Sequence, residues 1–145
     1  MIILDTTVLV YAVGLDHRLR EPCRRVLAAH ARGDIEAMTT FEVIQEFAHV
    51  RARRRSRTDA TFLARRYATA LALLAIDGDD LELGLTLFER YPALGAFDAI
   101  LAAVALNRQV DALISADGAF GAVAGLRVID PASAALDALL DEREG

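Results

Sequence analysis

Two short apolar runs, each closed by an acid, constrain this chain more than any other feature. The first is Ile2-Ile3-Leu4, running into Asp5-Thr6-Thr7; the second, near the other end, is Ala112-Leu113-Ile114-Ser115-Ala116-Asp117. A run that is apolar at every position, with β-branched residues in it, fits a strand buried on both faces of a parallel sheet. An acid just beyond such a strand lies at the carboxyl edge, where open α/β sheets place their ligands. Two strands that each deliver a carboxylate to one edge point to an acidic, metal-binding site. Taken singly, each acid also has a plainer reading. Asp5 can cap the helix after it, and Asp117 the turn at Gly118-Ala119-Phe120.

Between these runs the pattern alternates strand and helix. The spacing predicts helices over Thr6 to Tyr11 and Arg20 to Arg32, the second stopped by Gly33, then a short strand at Ile35 to Met38. Thr39-Thr40-Phe41-Glu42 reads as a capping box opening a third helix that continues past Arg53. A fourth helix over Thr58 to Leu71 precedes a strand at Leu73 to Ile76, and further helices follow over Asp79 to Arg90 and Ala96 to Leu106. After the strand at Ala112 to Ile114 come a short helix beyond Asp117, an extended piece at Arg127 to Ile129, and the turn Asp130-Pro131. The tail from Ser133 to Leu140 is an amphipathic helix. The expected architecture is α/β: one domain over residues 1–145, its tail helix within about 131–145. A central parallel sheet of four to five strands carries helices on both faces.

Charge narrows the chemistry. The net charge is −5, and all 16 basic residues are arginine; the chain has no lysine. Walker-type phosphate loops, Schiff-base enzymes and phospho-receiver domains all use a lysine, so those classes are excluded. A haloacid-dehalogenase-type phosphatase also opens with a strand and Asp but needs a second Asp two residues on, where Thr7 stands here. No run reaches the roughly 18 apolar residues of a membrane span, and the start does not read as a secretory signal. With a single cysteine, Cys23, no internal disulfide can form, and a cytoplasmic setting with no membrane partner is expected.

Three further acids merit weighing. Asp98 is the one charge in Ala96-Phe97-Asp98-Ala99-Ile100-Leu101-Ala102-Ala103-Val104-Ala105-Leu106. A helix apolar all round is buried, and a carboxylate on it needs a partner or a metal. On the third helix, Glu42 is accounted for by the capping box. Glu46, one turn on, borders the apolar face of Val43, Phe47 and Val50 and is the better site residue. His49 reads as a solvated or hydrogen-bonded residue.

Taken together, Ile3-Leu4-Asp5-Thr6, Val43-Ile44-Gln45-Glu46, Phe97-Asp98-Ala99 and Ser115-Ala116-Asp117 resemble the motifs of the PIN-domain nucleases. Size and motif order are similar to the VapC-like ribonuclease toxins of bacterial toxin–antitoxin pairs. That resemblance implies a single PIN-like domain. It makes Asp5, Glu46, Asp98 and Asp117 a catalytic and metal-binding quartet, with Thr6 and Ser115 as supporting hydroxyls. It further implies an RNA substrate (transfer RNA first), a homodimer, and a small antitoxin that blocks the site, often with an inserted arginine. Four carboxylates in one cleft repel one another unless a cation neutralises them. Hard oxygen donors and few His or Cys favour Mg²⁺ or Mn²⁺ over zinc, and metal-assisted phosphodiester hydrolysis follows.

The remaining feature is Arg51-Ala52-Arg53-Arg54-Arg55-Ser56-Arg57, with Arg65 and Arg66 beyond. It is either a solvated helix end or a phosphate-tracking patch beside a repulsive acidic cleft, formed by Arg51, Arg53, Arg54, Arg55 and Arg57. Two rivals to the ribonuclease stand: a non-catalytic interaction module on the same fold, and a nuclease acting on structured DNA.

Overall fold

The structure, a computed structural model, describes residues 1–144. Those residues form five strands: β1 (Ile2–Leu4), β2 (Ala37–Thr40), β3 (Ala72–Leu74), β4 (Ala112–Ile114) and β5 (Val128–Ile129). All pair in parallel, in the order β3-β2-β1-β4-β5. Seven α-helices accompany them: α1 (Thr6–Ala12), α2 (Arg20–Arg32), α3 (Phe41–Arg54), α4 (Arg57–Ala70), α5 (Gly78–Arg90), α6 (Ala96–Asn107) and α7 (Ala134–Glu144), with a 3-10 turn over Gly118–Ala122. Every residue of β1 and β4 is buried although their side chains alternate between faces, so both faces of the sheet are covered. None of the described helices is long and apolar enough to cross a membrane.

From β1 the chain moves out to β2 and β3, then crosses back to β4 on the opposite side of β1. The strand order therefore reverses between β1 and β4, and the crevice at their carboxyl ends is where such sheets bind ligands. Asp5 and Asp117 follow these two strands.

The expected elements recur with two shifts. β2 covers Ala37–Thr40 instead of Ile35 to Met38, with Ile2 opposite Ala37. Ile35 is buried in the lead-in, and the two threonines extend the strand because their hydroxyls find partners at its end. Thr39 Oγ1 donates to the Leu4 carbonyl at 2.7 Å, and Thr40 Oγ1 accepts from Val43 N at 3.2 Å. Thr40 is thus the cap of α3, which corrects the expected Thr39–Glu42 capping box. β3 likewise sits earlier than Leu73 to Ile76, in register with Met38 through Thr40. A true capping box occurs instead at the start of α5, where Asp77 and Asp80 each accept from the other's backbone N–H.

Three polar clamps set how the helices lie. Tyr67 on α4 donates to the Leu9 carbonyl of α1 at 2.8 Å and meets the Phe47 ring of α3 edge-on at 5.0 Å. Arg51 on α3 pairs with Asp59 on α4 and donates to the Val13 carbonyl at 3.1 Å. Asp80 on α5, fully buried, accepts from Asn107 Nδ2 at 2.9 Å and, through both oxygens, from Arg108 Nη1 at 2.9 and 3.0 Å. Burial alone would raise the Asp80 carboxyl, but these bonds more than offset it and hold the group below the usual carboxylate range.

The α5–α6 contact matters for function because α6 carries Asp98. Gly84 permits it: a Cβ there would lie 2.6 Å from Ile100 Cγ1 and 2.8 Å from Ile100 Cα. Gly84→Ala gains about 1 kcal/mol of helix propensity, but forcing α5 from α6 costs about 1–3 kcal/mol. Net destabilisation is expected, read as a lower urea midpoint; an unchanged or raised midpoint would show that the two helices are not in close contact at Gly84.

Candidate active site

Asp5 anchors the site. Its carboxylate caps α1, and Oδ2 accepts from Ser115 Oγ at 2.7 Å, Thr7 Oγ1 at 2.9 Å and, more weakly, Thr7 N at 3.4 Å. Oδ1 takes no hydrogen bond among the described residues, which leaves it uncommitted. The network continues across the crevice: Thr7 Oγ1 accepts from Ala116 N at 3.0 Å, and Ser115 Oγ accepts from Asp117 N at 2.9 Å. Two hydroxyls and two backbone N–H groups thereby lock the end of β1 to the end of β4.

Asp117 is exposed and caps the 3-10 turn, accepting from Ala119 N at 2.9 Å. Both strand-end acids are therefore caps and members of the cluster at once; the two readings do not exclude each other. Asp98, half-buried in the first turn of α6, completes the arrangement. Burial, then the charges of Asp5, Asp117 and Glu46, push its carboxyl up to about 7. Glu46 on α3 is raised too, by burial first and Asp5 second, with Thr6 and His49 acting against the rise. The four acids expected from sequence thus lie close enough to act on one another.

The supporting hydroxyls divide differently from expectation. Ser115 bonds Asp5 directly, but the second hydroxyl on Asp5 is that of Thr7 and not Thr6. Thr6 Oγ1 is buried beside Glu46 and has no partner in full hydrogen-bond geometry. The signal for Thr7 was its position in the first turn of a helix capped by Asp5, where a hydroxyl two residues on folds back to the cap. Glu42, relieved of its capping role, has a buried Oε2 without a partner and does not contribute to the charge felt by Asp98 or Glu46.

Among the described residues no three acidic, histidine or cysteine side chains already stand as a ready coordination shell. The donors nonetheless suit a hard divalent cation. They are all oxygens, Asp5 keeps a free Oδ1, Asp98 is faced by acids alone, and burial and Asp5 raise Glu46 despite His49. Asp5, Glu46, Asp98 and Asp117 are the groups that would hold such an ion, directly or through its remaining waters.

Comparison with known proteins places this geometry. The PIN domain family matches residues 2–126. Ribonuclease VapC7 of Mycobacterium tuberculosis is 48% identical over 151 aligned residues, covering 99% of this chain and all of that protein. This chain belongs to the PIN-domain family, in its VapC group. Solved structures agree in fold. Mycobacterium tuberculosis VapC20, described as a sarcin–ricin loop cleaving toxin, superimposes with a TM-score of 0.72 at 21% identity, covering 87% of this chain and 96% of that one. A toxin–antitoxin complex from Klebsiella pneumoniae gives 0.67 at 21% identity, covering 90% and 98%.

The arginines of the basic run separate into two kinds. Arg51, grouped by sequence with the RNA-binding candidates, is mostly buried, its guanidinium committed to Asp59 and the Val13 carbonyl. Arg53, Arg54, Arg55 and Arg57 are exposed at the far end of α3 and the start of α4.

The raised Asp98 carboxyl fixes a pH dependence. A folded-state value above the unfolded one means the folded protein binds the proton more tightly, so this contribution is full below about pH 4. It is lost as pH rises toward about 7. In EDTA, Asp98→Asn should therefore gain stability relative to the parent as pH rises through that window, and saturating Mg²⁺ or Mn²⁺ should shrink the gap. Parallel pH profiles of Tm for the two proteins would contradict the clustered arrangement.

Proposed function

We propose that this chain is a metal-dependent endoribonuclease, the toxin of a toxin–antitoxin pair, with Asp5, Glu46, Asp98 and Asp117 as its active-site acids. The observation that carries the reading is Asp98. It is a carboxylate on an otherwise apolar helix, faced by three other acids and no cation of the protein. Buried Asp80 shows how this fold satisfies an acid that serves structure, with Arg108 and Asn107 on it; Asp98 has no such company. Full-length similarity to a protein named as a ribonuclease supplies the reaction.

Bound Mg²⁺ or Mn²⁺ would supply the charge that offsets the four acids, lowers the pKa of the attacking water and stabilises the phosphorane and leaving oxygen. The chain's own residues set the rest. Ser115 and Thr7 fix the Asp5 carboxylate in rotamer, leaving Oδ1 to face a ligand. Glu46 and Asp98 bring partly desolvated carboxylates from two helices, and the Thr6 hydroxyl steadies Glu46. Asp117, exposed at the mouth, has its backbone held by Ser115. Hydrolysis by water needs no covalent nucleophile and no histidine base; His49 acts at the site only by opposing the rise of the Glu46 carboxyl.

RNA is the substrate class, with transfer RNA the first candidate and ribosomal RNA the second. Exposed Arg53, Arg54, Arg55 and Arg57 would hold its backbone. A small antitoxin is the expected partner, since an acidic cleft accepts an inserted arginine as charge-assisted, bidentate bonds. A homodimer is supported by a stripe on α5, where Leu81, Leu85 and Phe88 remain 46–47% exposed at helical spacing. The cytoplasm suits an RNA target and a lone buried cysteine.

Asp5→Asn and Glu46→Gln should each lower RNA cleavage by roughly a hundred-fold or more, the effect of losing several kcal/mol of transition-state stabilisation. Circular dichroism should be unchanged, and EDTA should abolish parental cleavage until Mn²⁺ is restored. Full activity in either variant would overturn the site. Mn²⁺ binding by calorimetry, lost in Asp98→Asn, separates this reading from a non-catalytic module, and a DNA hairpin run beside transfer and ribosomal RNA separates it from a DNA nuclease. Replacing Arg53, Arg54 and Arg55 together by alanine should weaken RNA binding and flatten its log–log salt slope by about 0.7 for each phosphate no longer neutralised. An unchanged slope would make these arginines a solvated helix end.

A further inference from the structure

Away from the acids, a groove of about 610 Å³ runs between the end of α1 with its following loop and the second half of α3. Apolar side chains (Val10, Leu15, Phe47 and Val50) line much of it, and two further kinds of group stand among them. One is the ring pair Tyr11–His17, stacked with centroids 4.7 Å apart and planes 26° from parallel. The other is Arg54 and Arg55, exposed, against a single lining carboxylate, Asp16. Arg51 also lines the groove but is committed to Asp59 and Val13. Aromatic faces beside uncommitted guanidinium groups are the two elements that single-stranded nucleic acid requires, one for the base and one for its phosphate. The groove shares α3 with Glu46, and Arg54 lies about 12 Å further along that helix at 1.5 Å per residue.

We propose that this groove is a nucleotide subsite for single-stranded RNA, in which a base stacks on the Tyr11–His17 pair and its phosphate lies on Arg54 and Arg55. The site rests on the ribonuclease reading and deepens it: it would hold the strand a few nucleotides from the bond to be cut and favour unpaired over duplex RNA. A base already paired has no free face to offer the rings, so selection for loops or single strands follows from the stacking alone.

The test uses a labelled ten-residue oligoadenylate and an abasic ten-mer of equal charge, bound to the full chain in EDTA. His17→Asn removes the ring while keeping an acceptor for Leu19 N, which His17 Nδ1 binds at 3.1 Å. It should weaken the oligoadenylate by roughly five-fold or more and leave the abasic strand unchanged; His17→Phe, which keeps a ring, should restore binding. Arg54→Ala with Arg55→Ala should weaken both probes and lower the salt slope by about 0.7 for each phosphate released. Equal effects of His17→Asn on the two probes, or none on either, would overturn the subsite. Cleavage measured in parallel with Mn²⁺ keeps the two readings apart. Base-dependent binding without cleavage of any RNA sinks the ribonuclease and leaves the groove, whereas cleavage with base-blind binding sinks the groove alone.

Discussion

One oxygen, Asp5 Oδ2, joins the two halves of the sheet at the point where the strand order reverses. Leu4 and Ile114 are opposite each other in the β1–β4 ladder, and Asp5 N continues that ladder to the Ile114 carbonyl at 3.0 Å. Beyond it the backbone bonds stop, and side chains take over through Thr7 and Ser115. The same contacts that finish the sheet hold the Asp5 carboxyl in one orientation, with Oδ1 left to meet a cation.

The neighbouring acids are arranged in the opposite sense. Glu46 and Asp98 gain proton affinity from burial and from Asp5, so in the metal-free chain they oppose the compactness that the network on Asp5 enforces. Asp80 shows that burial by itself does not force such a conflict, because Arg108, Asn107 and the Asp77 backbone resolve it there. A fold that satisfies one buried acid fully and leaves a cluster of others mutually repelled gives up stability at the place where a ligand would return it.

What sequence made legible follows from which signals are local. β1 and β4 read correctly because both are short, apolar throughout and closed by acids that hydropathy marks. Asp98 stood out because an apolar helix leaves a charge nowhere to hide. The boundary of β2 was not legible: Thr39 and Thr40 look like turn and cap residues, and only their pairing with Leu73 and Leu74 of β3 makes them strand. Thr7 was missed for a similar reason: it shares a helical turn with Thr6, and only the position of Ser115 and Ala116 shows that its hydroxyl is used at Asp5 while that of Thr6 lies beside Glu46. Arg51 was indistinguishable from its exposed neighbours until Asp59, on the next helix, came beside it.

These observations make α3 the element that relates the acids to the arginines. Its first half carries Glu46 toward the sheet edge, and its last turn carries Arg51, Arg53 and Arg54, the ends at which a helix dipole favours negative and positive charge respectively. Net charge hides this division, because −5 summed over the chain says nothing of a helix acidic at one end and basic at the other. A polyanion repelled by the acids can be held by the arginines without cancelling them, since Glu46 and Arg54 sit about two turns apart on one helix. One arginine of the run is buried because Arg51 ties α3 to α4 through Asp59, and with it the exposed arginines ending one helix to Arg57 at the start of the next.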